Sequence, residues 1–116
     1  MNQAMQAPAA RVRDDDRAVA MGRQVLEIEA AAVAALAHRL GSEFTGAVAL
    51  IRGSQGRVIV SGIGKSGHIA RKLAATLAST GTPAYFVHAA EAVHGDLGMI
   101  TRDDVLIAIS NSGEND

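Results

Sequence analysis

Cysteine is absent from the 116 residues, which excludes disulfides, thiolate metal sites and cysteine nucleophiles. Its absence fits a reducing compartment. Tryptophan is absent too, and Phe44, Tyr85 and Phe86 are the only aromatic residues, too few for a platform that stacks nucleic-acid bases. Neither charge sign prevails: 11 Lys and Arg face 12 Asp and Glu, for a net charge of -1. A general nucleic-acid binder, which draws its affinity from neutralised phosphates, needs an excess of positive charge. No run approaches the roughly 18 consecutive apolar residues of a membrane span. Residues 1–13 lack the apolar stretch of a secretory signal, so the chain reads as cytoplasmic with no membrane partner. What is present is ordinary for a globular domain: 48% hydrophobic and 20% charged residues. The length allows one domain, able to bury roughly 65% of its unfolded surface.

Residues 1–16 read as a flexible tail ending in the acidic run Asp14, Asp15 and Asp16. Carboxylates there suit the positive end of a helix dipole. An alanine-rich segment follows to Leu40. Val25, Ile28, Ala32, Leu36 and Leu40 recur at spacings of three and four, with Leu26 and Val33 widening the stripe. That is a helix with one buried face, closed by Gly41 in a left-handed conformation. Ser42 caps a second helix, whose Phe44, Val48 and Ile51 share a face. Residues 17–56 thus form a helical segment, ending in a turn between Gly53 and Gly56.

The period then changes. Arg57-Val58-Ile59-Val60-Ser61 is apolar on successive positions, as a strand covered on both faces must be. A glycine-rich loop, Gly62 to Gly67, leads into a helix from Ser66. Ile69, Leu73 and Leu77 lie on one side of that helix, beside Ala70, Ala74 and Ala78. Gly81-Thr82-Pro83 ends it, because proline cannot continue the hydrogen-bond ladder. Ala84 to Val87 and Asp104 to Ile109 are two further strands. Between them, His88 to Gly98 holds the ionisable residues His88, Glu91, His94 and Asp96. Strand, helix, strand, short helix or loop, strand is the order of a parallel α/β sheet. Three strands leave an edge and a face uncovered, so residues 57–116 read as the first part of a larger α/β domain.

Gly62-Ile63-Gly64-Lys65-Ser66-Gly67 matches G-x-G-x-x-G between a strand and a helix. A nicotinamide dinucleotide would want Asp or Glu at the end of the next strand, where His88 stands. A P-loop would want glycine at Ile59. What remains is anion chemistry. Glycines admit close backbone approach, the helix N-terminus brings partial positive charge, Lys65 adds a full charge and Ser66 a hydroxyl. Ser110-Asn111-Ser112-Gly113 repeats this at the end of the third strand. In an open parallel sheet both loops lie at the carboxyl edge, where ligands bind.

At these residues the chain resembles a known family. Gly62-Ile63-Gly64-Lys65-Ser66-Gly67-His68, Ala78-Ser79-Thr80-Gly81-Thr82-Pro83, His94-Gly95-Asp96-Leu97-Gly98 and Ser110-Asn111-Ser112-Gly113-Glu114 look like the arabinose-5-phosphate isomerases of the sugar-isomerase (SIS) superfamily. The resemblance runs from about residue 20 to the last residue. It implies a doubly wound, flavodoxin-like parallel sheet sandwich, here incomplete and preceded by helices. It implies interconversion of ribulose 5-phosphate and arabinose 5-phosphate, which feeds the eight-carbon acid sugar of lipopolysaccharide. By the same resemblance Lys65 is catalytic, Gly81 and Thr82 contact substrate, and His88 contacts substrate and can take zinc. His94 is a second substrate histidine with a catalytic part, and Ser110 and Ser112 are phosphate-side serines. Gly64, Ser66 and Asn111 complete the substrate contacts. Three departures stand out. Asn115 replaces the family's Ser or Thr, the next catalytic glutamate falls at or beyond Asp116, and the rest of the SIS domain and its CBS pair do not follow. Residues 1–116 alone are therefore expected to be inactive, and the complete protein to be a homotetramer.

Isomerisation of an aldose to a ketose passes through an enediolate. It needs a base, a group that polarises the oxygens, and stabilisation of developing negative charge. Lys65 suits the charge, and His88 and His94 can move protons near neutral pH. Two imidazoles do not fill a zinc shell, so no cofactor is required. His68 can line the site, whereas His38 belongs to a helix surface. Glu91, Asp96 and Glu114 are candidate carboxylates, none of them singled out as the base. The alternative reading is a non-catalytic SIS module that binds a phosphosugar to regulate a partner.

Overall fold

The structure, a computed structural model, describes residues 2–93 and 95–114. It divides into two compact units, residues 1–43 and 44–116. The first is dominated by α1 (Asn2–Leu36). The helix starts upstream of the expected boundary and runs through residues read as a flexible tail. Gln3, Ala4, Met5, Gln6, Ala7, Ala9, Ala10 and Arg11 favour the helix, which runs on through Pro8 against that residue's cost in a helix interior. Asp14, Asp15 and Asp16 consequently stand exposed within α1, and its first turn holds no acidic residue.

The other end of α1 also differs from expectation. The chain tightens into a 3-10 turn, Ala37–Arg39, and Leu40 is extended at φ -75° and ψ 127°. Gly41 is not among the glycines with positive φ, so an extended Leu40, not a left-handed glycine, ends the helix. The apolar stripe expected to be buried is exposed at Val25, Leu26, Ile28, Val33, Leu36 and Leu40, because residues 1–43 contain no second element long enough to cover it. No described helix is long and apolar enough to cross a membrane.

The second unit takes in α2 (Ser42–Gly53) from Phe44 onward, then β1 (Val58–Gly62), α3 (Lys65–Ser79), β2 (Ala84–His88), α4 (Ala89–Val93), a 3-10 turn (Asp96–Met99) and β3 (Val105–Ile109). The three strands are parallel in the order β2-β1-β3. Val58 pairs with Ala84 and Val105, and Gly62 with His88 and Ile109. All three strands therefore start at one edge and finish at the other. The chain leaves β1 toward one neighbour and returns to add β3 on its other side. With right-handed crossovers the two connections fall on opposite faces, the doubly wound arrangement.

Successive apolar residues build the core. Val58, Ile59 and Val60 of the central strand are all but fully buried, worth about 1.5–3 kcal/mol each relative to exposure. Val58 and Val60 pack with Ala70 and Ala74 of α3, flanked by Leu73, Leu77, Ala84, Phe86, Ile107, Ile109 and Ile51. Small alanines let α3 sit close to the sheet. Ile69, expected beside them, is 61% exposed, since the face toward the sheet runs through Gly67, Ala70 and Ala74. On the opposite face a hollow is lined by Ile59, Val87, Ile100 and Leu106. Of the shared face expected on α2, Ile51 packs while Phe44 and Val48 stay exposed.

The amino edge of the sheet is clasped by Asp104. Its two carboxylate oxygens accept the N–H of Arg57 and of Thr101, each at 2.7 Å. The Arg57 guanidinium stands 3.6 Å away and lies over the Tyr85 ring. The backbone bonds from Thr101 and then Arg57 hold the Asp104 carboxyl down to about 2, from an ordinary 3.8. Gly56 is required there, for a Cβ would meet Asp104 Oδ1 at 2.5 Å. α3 also ends at this edge. The N–H of Thr82 donates to Leu77 O (2.9 Å) and that of Gly81 to Ala78 O (3.4 Å), with Gly81 at φ +102°. That is a complete Schellman cap. It ends the helix at the Gly81-Thr82-Pro83 run expected from the sequence, but by the cap at Gly81 and Thr82, before Pro83 is reached.

Candidate functional site

The carboxyl edge is built by three turns, following β1, β2 and β3. The loop after β1 carries two separate demands for glycine. Gly64 adopts φ 61° and ψ -127°, a region closed to side chains. A Cβ on Gly67 would approach Gly62 O at 2.9 Å, and one on Gly62 would meet the Ser66 backbone at 2.8 Å. Gly62 and Gly67 thus let the first turn of α3 press against the end of β1. The helical ladder opens with Gly67 N–H donating to Ile63 O and His68 N–H to Gly64 O. The N–H groups of Lys65 and Ser66 precede those bonds and point out of the helix end, where an anion is favoured. Lys65 is exposed beside them and Ser66 is half-buried.

The turn after β3 is already folded for its task. Ser110 Oγ accepts the N–H of Gly113 (2.8 Å), and Ser112 Oγ accepts that of Glu114 (3.2 Å). Gly113 has φ 73°. Ser110, Asn111 and Ser112 are exposed. Gly62, Ile63, Ala89, Ile109 and Ser110 line one hollow of about 140 Å3. It lies between the ends of β1 and β3, where the strand order reverses, which is the ligand crevice of a doubly wound sheet. Two loops separated by a strand, a helix and a connection in the sequence are therefore brought onto one cleft.

A second hollow of about 140 Å3 lies on the α3 side of β2, lined by Gly64, Gly67, His68, Arg71, Phe86 and His88. His88 is half-buried at the end of β2, and its Nδ1 accepts the N–H of Ala90 at 3.1 Å. His68, read from sequence as able to line the site, does so here. Arg71 and Phe86 were not singled out. Helical spacing groups Arg71 with Gly67 and His68 on one face of α3, but nothing along the chain links that face to Phe86 on β2.

Not every expected residue joins this edge. Gly81 and Thr82 cap α3 next to the start of β2, where Pro83 O accepts the N–H of Val58. The five-residue strands set them about 16 Å from the carboxyl edge. A single chain does not bring them to the Gly62 and Ser110 turns. His94 lies outside the described residues. Glu91 is exposed on α4 and Glu114 is exposed after the last turn.

Zinc at His88 finds no support among the described residues. Among the described residues no group of three or more His, Asp or Glu converges to hold a metal. The His88 Nδ1 already accepts the Ala90 N–H, so one of its two ring nitrogens is engaged within the chain.

A model of the SIS domain matches residues 50–116. The arabinose 5-phosphate isomerase KdsD of Pseudomonas aeruginosa is 56% identical over 91 residues, 78% of this chain and 28% of that protein. The arabinose 5-phosphate isomerase GutQ of Escherichia coli is 60% identical over 92 residues, 79% of this chain and 29% of the other. The chain thus spans less than a third of either. A protein of Escherichia coli CFT073, solved in complex with arabinose 5-phosphate, superposes with a TM-score of 0.62 at 64% identity, covering 64% of this chain and 39% of that one.

Proposed function

This chain belongs to the SIS domain family, and on that premise we propose that it serves an aldose–ketose isomerase interconverting ribulose 5-phosphate and arabinose 5-phosphate. The observation that carries the reading is the single cleft shared by the Gly62 and Ser110 turns. Isomerases of that name, at 56% and 60% identity, support the substrate. Residues 57–116 act as the first part of the SIS domain, and residues 17–56 as its helical approach.

The phosphate sits against the backbone amides that open α3 and the hydroxyls of Ser110 and Ser112, with Asn111 and Ser66 beside it. Each hydrogen bond to the dianion contributes about 1.5–3 kcal/mol. Lys65 balances negative charge at the same edge, on the phosphate or the enediolate. His88 meets the sugar oxygens, and His94 takes part in moving the proton. Gly64 admits the ligand by presenting no side chain. Gly81 and Thr82 serve as the helix cap, and they reach a substrate only from another copy of the chain. The reading includes a homotetramer in the cytoplasm, supported by the apolar stripe of α1, which assembly would cover.

The decisive experiment uses the full-length protein with ribulose 5-phosphate in deuterated water. Formation of arabinose 5-phosphate with deuterium at C2 is expected. Saturable binding without exchange would instead establish a phosphosugar-binding regulatory module.

A further inference from the structure

His88 is held from two directions. Its backbone places it two residues after Phe86, so both side chains leave β2 on the same face, toward α3. The Phe86 ring meets the His88 ring edge-on, with centroids 6.2 Å apart and planes at 80°. Phe86 is itself pinned: the Arg71 guanidinium carbon lies 4.2 Å from its ring centroid. Where Phe86 Cζ lies, a Cβ on Gly67 would be 3.8 Å away. On the other side of His88, Nδ1 accepts the Ala90 N–H. Both constraints act on one imidazole, and they define its chemistry.

A neutral imidazole has one N–H and one lone pair. The Ala90 amide uses the lone pair at Nδ1, so the proton is on Nε2. The ring atom left for a ligand entering the hollow is therefore a hydrogen-bond donor. Such a donor can polarise a carbonyl and hold the oxygen of an enediolate. It cannot take a proton from carbon without first losing its own.

We propose that His88 acts as a neutral Nε2–H donor to a sugar oxygen, and that Arg71 and Phe86 are positioning residues that fix its ring. The inference rests on the reading of the carboxyl edge as a sugar-phosphate site. His88 keeps its proton throughout, and the base is a different group. Arg71 contributes through Phe86 and makes no call on the substrate.

The test is the histidine nitrogen spectrum of the full-length protein, labelled with 15N-histidine at about pH 8, above the ordinary histidine range. Long-range proton–nitrogen correlations distinguish the two neutral tautomers, and His88→Gln identifies the signal. The expected result is the Nε2–H form. Phe86→Leu releases the ring, so the tautomer signature shifts toward a mixture and kcat falls about 3- to 10-fold, the range available from an aromatic pair, with KM little changed. Phe86→Tyr restores both. Phe86 is part of the core, so Arg71→Met, on an exposed side chain, supplies a second variant with the same signature at smaller size. His88→Gln, which still donates, retains measurable turnover. An Nδ1–H form in the parent protein overturns the proposal. So does an unchanged spectrum in both Phe86→Leu and Arg71→Met. If the parent protein turns over no ribulose 5-phosphate, the functional reading fails while the spectrum still decides the state of the ring.

Discussion

The two edges of one parallel sheet use polar groups in opposite ways. At the amino edge they are spent on each other. Asp104 accepts two backbone N–H groups and faces Arg57, Arg57 also donates to Met99 O at 3.0 Å, and Gly81 and Thr82 close the carbonyls of α3. At the carboxyl edge the groups are turned outward. Lys65 and the Ser110 turn are exposed, and Gly64 occupies a conformation that keeps the loop bare. Polar groups bonded to one another fasten the fold, whereas polar groups held in place but facing solvent are available to a ligand.

Substitutions can break that contrast. The largest expected effect is at the outward edge. In the full-length protein Lys65→Met should lower kcat/KM about 100- to 1,000-fold, the usual size for removing one electrostatic donor. Its melting temperature should match the parent's, because Lys65 is exposed. A parallel drop in melting would make Lys65 a structural residue and erase the distinction. Next comes the seam beneath the loop. Gly67→Ala forces a Cβ against Gly62 O and should cost about 1–3 kcal/mol in urea unfolding. At the inward edge Gly81→Ala places a side chain at φ +102°, with an expected loss of about 1 kcal/mol. The matching kinetic prediction is unchanged KM for ribulose 5-phosphate, and a large KM increase would show that Gly81 of one copy reaches a substrate held by another. The smallest effect near neutrality is that of acid on Asp104. Its folded carboxyl lies at about 2 and its ordinary value is 3.8. Its stabilisation is therefore complete above about pH 4 and is lost as pH falls toward 2. Unfolding midpoints across that window should flatten in Asp104→Asn.

Much of this is legible in the sequence alone. The successive apolar residues of Val58 to Val60 announced a buried central strand, and Gly62 to Gly67 a loop that opens a helix toward an anion. Both signals are local. Asp104 was read merely as the start of a strand, since its partner Arg57 lies 47 residues away. Ile69 was placed with the core because helical spacing groups it with Leu73, and only the direction of the sheet showed it to be outside. The stripe of α1 was legible as apolar, but its cover was not, since a stripe does not name its partner. The Arg71–Phe86–His88 stack joins a helix to a strand, and no spacing within either element discloses it.

The sequence by itself determined where the backbone must turn, which segments repeat at helical or strand period, and that the turns carry chemistry suited to an anion. These follow from steric limits on each residue and from the spacing of neighbours along the chain. Only the tertiary structure decided which turns share an edge, which polar groups are consumed internally, and which nitrogen of His88 meets the Ala90 amide. Those outcomes depend on strand register and close packing between distant segments, and no single residue carries that information.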